Sequence, residues 1–219
     1  MIFLDAKQKL IALAAVLTIL GSVLWIYRHE FGGPEFNVAL QEVVGQVLAE
    51  QTSRLLPGGG RVVIITMEKG NAPELKAQLG AFEKALKSSH GLAIQETVTL
   101  DPGDNPKFRP GSGLSAKRFL KIVRKHPTAG AFVSFVGAPQ LSDTELAQLK
   151  SAPTLIAETH SPEKLLGLFE KKVLLAAVVP RFEFPAPGPR KPHTGRELFD
   201  YYFQVVAPGA TLPSEDPAP

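Results

Sequence analysis

Cysteine is absent from the 219 residues, which excludes disulfides, thiolate metal ligands, a thiol nucleophile and a lipidated N-terminal cysteine. The same absence leaves the redox compartment open. A strong charge imbalance is missing too. The 24 Lys and Arg against 21 Asp and Glu leave +3 at neutral pH, too little for the footprint of a nucleic-acid binder. No internal repeat is visible. Wholesale disorder is excluded by what is present, since 44% hydrophobic and 21% charged residues are enough to bury a core.

The long hydrophobic run is N-terminal. From Leu10 to Tyr27 no residue is charged, about the length a helix needs to cross a bilayer. The stretch LIALAAVLTILGSVLWIY is apolar on every helical face. Thr18, Gly21 and Ser22 are small enough for lipid, with their hydroxyls bonding back to the helix. Trp25, Tyr27 and Arg28 supply the interfacial anchors at the far end. A buried core helix and a cleaved signal peptide are the competing readings. Against the second, the run exceeds a usual signal core of about 7–15 residues and no A-x-A-like site follows. Lys7 and Lys9 precede the span, and Arg28 is the only Lys or Arg in roughly the next 20 residues. The N-terminus is therefore expected in the cytoplasm and the main domain outside, in the periplasm.

Residues 1–30 thus read as an anchor and 31–59 as an amphipathic helix with a Gly-rich linker. Residues 60–206 read as an α/β domain and 207–219 as a disordered Pro-rich tail. In the helix, Phe36, Leu40, Val43, Val44, Val47 and Leu48 form one stripe, with Gln41, Glu42, Gln46 and Glu50 opposite. It serves either as a stalk packed on the domain or as a partner-binding helix. Beyond Gly58–Gly60, apolar strands alternate with helices. Arg61–Met67, Leu92–Leu100, Ala131–Val136, Thr154–Glu158 and Val173–Val179 read as strands. Helices start at Asn71-Ala-Pro-Glu74, Leu114, the Ser142-Asp-Thr-Glu145 capping box, Ser161-Pro162-Glu163 and Gly195, the last running to about Val206. Strands separated by helices pair in parallel through right-handed crossovers. The expectation is an α/β fold with a five-stranded, mostly parallel sheet, helices on both faces and the flavodoxin-like order 2-1-3-4-5.

Ligands of such sheets bind beyond the C-terminal strand ends, near the point where the strand order reverses. After the first strand, Met67-Glu-Lys-Gly-Asn71 is neither G-x-G-x-x-G nor a P-loop, so dinucleotide and nucleoside triphosphate chemistry are disfavoured. Gly111-Ser112-Gly113 has the wrong spacing for a nucleophile elbow, and Gly137 stands where a receiver domain carries its phospho-acceptor Asp. The five His are scattered and make no metal motif. No cofactor is called for. The C-terminal rim offers Glu68, Asn71, Asp101, Asp104, Glu158, His160 and Arg181 as candidate ligand-binding residues. Such carboxylates beside a His and an Arg suit a sugar, an amine or a hard cation. Equally, loops are polar, and residues such as Asn71 and Ser161 cap the helices that follow. The basic face of the second domain helix, Lys117, Arg118, Lys121, Arg124 and Lys125, is either solvated or set toward anionic headgroups or an acidic partner. Tyr201, Tyr202 and Phe203 cannot all be buried on one helical face.

Pro162–Lys172, Val173–Arg181 and Thr194–Phe199 form a helix, an apolar strand, a short loop and a helix opening with Gly. This succession resembles half a lobe of type I periplasmic sugar-binding and LacI-like proteins. The resemblance implies a periplasmic-binding-lobe topology over residues 60–206, with Arg181 facing a ligand cleft. Those proteins bind between two lobes, and this chain has one. Its half-cleft is completed by a second chain, as in a homodimer, or has become an interaction surface. The resulting expectation is a non-catalytic, membrane-anchored binding or docking module, touching lipid through Leu10 to Tyr27 and taking a small solute. The alternatives are an accessory subunit of a membrane complex and a hydrolase using rim carboxylates with His160 as base.

Overall fold

The computed structural model describes residues 16, 18–22, 37–68, 72–101, 114–149, 153–161, 165–181 and 194–209. They fall into two compact units, Met1–Asn37 and Val38–Pro219. In the first, residues 18–22 are helical, and the Ser22 hydroxyl donates to the Thr18 carbonyl at 2.9 Å. Among the described residues no helix is long and apolar enough to cross a membrane. Most of the expected span, with Trp25, Tyr27 and Arg28, lies outside them, as does the tail from residue 210.

The second unit is built on one sheet. Its strands are β1 (Gly60–Met67), β2 (Leu92–Leu100), β3 (Ala131–Ser134), β4 (Leu155–Glu158), β5 (Leu174–Pro180) and β6 (Phe203–Val206), in the order β2-β1-β3-β4-β5-β6. The first five pair in parallel, as their apolar runs demand, and in the expected order. The sixth is a correction. The last helix stops at Tyr202, and Phe203–Val206 pairs antiparallel with β5 instead of continuing the helix to Val206. The extended form buries Phe203 in one core and Val206 in the other, and β-branched Val205 and Val206 favour it. The Arg181 amide clamps the switch by donating to the Tyr202 carbonyl at 2.8 Å.

Helices cover both faces. On one lie α1 (Val38–Leu55), α2 (Pro73–Ser88) and α6 (Gly195–Tyr202), packed on Val62, Ile64 and Val133. On the other lie α3 (Ala116–Lys125), α4 (Asp143–Leu146) and α5 (Leu166–Glu170), against Val63, Ile65 and Phe132. The α1 stripe Leu40, Val44, Val47 and Leu48 is buried against its own domain. Gly45 lets α1 lie directly on α2, because a Cβ there would sit 2.0 Å from the Gln78 carbonyl oxygen. Strand β2 carries a bulge that leaves Gln95 unpaired between Ile94 and Glu96. The extra residue turns the strand over, so Ile94 joins the α1–α2 core while Val98 and Leu100 join the other.

Local signals held at Ser142, whose capping box with Glu145 is complete, and a second box joins Thr194 to Glu197. The start of α2 is a second correction. Its cap position is Ala72, with Pro73 opening the helix, while Asn71 lies outside the described residues. The cap expected at Ser161-Pro162-Glu163 falls partly outside them, and the described helix begins at Leu166. Strand β3 ends at Ser134 rather than Val136, because the Ser134 hydroxyl folds the chain by donating to the Gly137 carbonyl at 2.6 Å.

Candidate functional site

In the strand order, β1 stands between β2 and β3, so successive crossovers leave it in opposite directions and a crevice opens at its C-terminal end. A cleft of about 440 Å³ occupies this place. Met67 from the end of β1, Phe135, Val136 and Gly137 after β3, and Glu158, Thr159 and His160 at the end of β4 line its sheet side. Helix α2 contributes Ala72, Glu74, Leu75 and Gln78, helix α1 contributes Gln41, and β6 contributes Phe203. The two aromatic rings are held from behind. Phe82 meets Phe135 edge-on with centroids 5.4 Å apart, and Phe199 stacks on Phe203 at 5.8 Å.

The polar centre of the cleft is a carboxylate–imidazole pair. His160 Nε2 lies 3.1 Å from Glu158 Oε1, with side-chain exposures of 55% and 10%. The hydrogen bond that His160 donates to Glu158 raises the imidazole pKa above its ordinary value of 6.5, partial burial opposes this, and the attraction of the nearby carboxylate adds to it. Strand geometry fixes the pair, since the Thr159 amide between them donates to the Val178 carbonyl of β5 at 3.0 Å. The Thr159 hydroxyl accepts from the Ser161 amide at 3.3 Å. Facing them is an amide pair in which buried Gln78 donates through Nε2 to Gln41 Oε1 at 2.7 Å.

Of the rim residues read from the sequence, Glu158 and His160 meet in the cleft. Glu68 and Asp101 sit exposed after β1 and β2 and do not line it. Arg181 is also outside the lining, its guanidinium Nε donating to the Phe203 carbonyl at 3.0 Å, so it supports the β6 wall from behind. Asn71 and Asp104 lie outside the described residues. Among the described residues no group of three or more His, Asp or Glu could hold a metal ion.

No family model matches the chain. A curated ABC transporter ATP-binding protein of Bacillus subtilis (strain 168), YlmA, described as uncharacterized, is 26% identical over 165 residues, covering 68% of this chain and 59% of that protein. The chain itself contains no G-x-x-x-x-G-K-[ST] run. Among solved structures it is similar to an ABC transporter solute-binding protein from Burkholderia graminis C4D1M in complex with D-arabinose (TM-score 0.47, 21% identity). The glucose-galactose binding protein GanP of Geobacillus stearothermophilus (TM-score 0.46, 18%) and a LacI-type transcriptional regulator of Bacteroides fragilis, described as putative (TM-score 0.47, 13%), are further examples. Each covers 64% of this chain, and the chain spans about half of each, 47%.

Sequence reasoning confined to strand ends missed Gln41, Glu74 and Gln78, which come from helices. Gln78 left a readable trace. It lies three residues after Leu75 and four before Phe82, on the helical face that packs inward, where a polar side chain needs a partner.

Proposed function

We propose that this chain is a membrane-held, extracytoplasmic binding module, with a small polar solute occupying the cleft at the end of β1, β3 and β4. One observation carries the reading. The Glu158 carboxylate is nearly buried in the lining of a preformed, mostly apolar crevice, and among the described residues its ion-pair partner is the half-exposed imidazole of His160. A charge kept in such a place at a desolvation cost is characteristic of a site that must recognise something.

The membrane attachment rests on the uncharged Leu10–Tyr27 run and the Lys7/Lys9 bias before it. Exposed Val16, Ile19 and Leu20 beside a Ser22 hydroxyl that donates to the Thr18 carbonyl fit lipid contact. Thermal-shift screening of the full chain against small neutral and cationic solutes tests the binding reading. A ligand that raises the melting temperature of the native chain but not of Glu158→Gln supports it. Equal shifts in both would place binding elsewhere.

The 3.1 Å contact also favours a second reading, in which Glu158 orients His160 as general base toward a water, as in a hydrolase. Turnover of p-nitrophenyl esters or glycosides, lost in His160→Gln, would support catalysis. Binding without turnover supports the module.

A further inference from the structure

Charge is distributed unevenly around the cleft. Glu74 faces it from α2 and Glu158 from β4, while no Lys or Arg among the described residues lines it. The basic side chain at the end of the adjacent strand, Arg181, is committed to the Phe203 carbonyl. Among the described residues the remaining basic group in the lining is His160, and it sits on Glu158. An anionic ligand would therefore bring its charge toward two carboxylates. The rest of the lining is mostly apolar, with Met67, Leu75, Phe135, Val136 and Phe203 forming walls whose rings are fixed by Phe82 and Phe199.

We infer that the ligand is a small organic ammonium ion, its charged head on Glu158 where the imidazole of His160 now sits and its apolar body against Phe135 and Phe203. This rests on the binding reading above and names the solute class. In this arrangement His160 is an internal stand-in for the ligand's cation. It keeps the nearly buried carboxylate paired while the cleft is empty and yields when an ammonium enters. The hydrogen bond that raises the His160 pKa is then broken, so the imidazole gives up its proton on ligand entry. The protonated imidazole and the ammonium compete for one carboxylate.

Isothermal titration of the full chain with 2-phenylethylamine, 2-phenylethanol and phenylacetate compares three probes of similar shape and different charge. The amine is expected to bind at least about tenfold more tightly than the alcohol, with phenylacetate weakest. Amine affinity should rise between pH 6 and pH 8, with a proton released in buffers of differing ionisation enthalpy. The His160→Gln variant should lose that pH dependence while still binding the amine. Glu158→Gln should reduce amine affinity by at least about tenfold, with circular dichroism verifying its fold. Equal or tighter binding of the alcohol or the carboxylate, or no amine binding by the native chain, would overturn the inference. Equal or tighter alcohol binding that localises to the cleft would do so while leaving the binding module standing.

Discussion

At the scale of single residues, His160 links the site to pH. Its pKa is raised in the folded protein by Glu158, so its stabilising contribution is complete below the ordinary value of 6.5 and disappears as pH climbs through the raised value. Melting temperatures of the native chain and His160→Gln, measured without ligand, should therefore differ most in mild acid and converge above neutrality. A constant difference would show that the imidazole acts through packing instead. Because the side chain is more than half exposed, solvent screening keeps the effect small. Gly45 shows the opposite kind of sensitivity. A methyl group there meets the Gln78 backbone, which cannot swing aside, so Gly45→Ala should cost about 3 kcal/mol in denaturant unfolding. By moving Gln78 it should also disturb the amide pair with Gln41.

Elements show where the sequence was legible. The central parallel strands announced themselves because burial on both faces makes each an apolar run, VVII in β1 and LLAAVV in β5, while β2 at the edge showed itself by alternation. Strand β6 did not. Its four residues follow a helix without a break, and the pairing that makes them a strand comes from β5, far away in sequence. The bulge in β2 was equally hidden, since its alternating exposure looks like that of any edge strand. Deleting Gln95 would remove the extra residue and turn one half of the strand over, moving either Ile94 or Val98 to the wrong core. A lower unfolding midpoint is expected, whereas an unchanged midpoint would mean that the edge adapts freely. The Thr194 box governs the helix that delivers Phe203 to the cleft wall. Thr194→Ala should cost about 1 kcal/mol and weaken ligand binding slightly, both measurable in one thermal-shift series.

For the molecule as a whole, the site follows from topology. The strand order places a crevice at the end of β1, and the nearly buried Glu158 carboxylate lines it with Glu74 facing from α2. Glu68 and Asp101 follow β1 and β2, are exposed and lie outside the lining of this cleft. The pair Glu158–His160 was legible because both belong to the end of a strand. Gln41 and Gln78 were not, because it takes the packing of α1 on α2 to bring two helices over the same opening. The α1 helix thus both completes the core and roofs the site, joining the segment before the sheet to the function of the sheet. The most direct measurement is an amide chemical-shift map of the isotopically labelled full chain titrated with 2-phenylethylamine. Shifts concentrated at Met67, Leu75, Gln78, Phe135–Gly137 and Glu158–His160 are expected, and shifts gathered anywhere else on the surface would contradict a ligand site at this cleft.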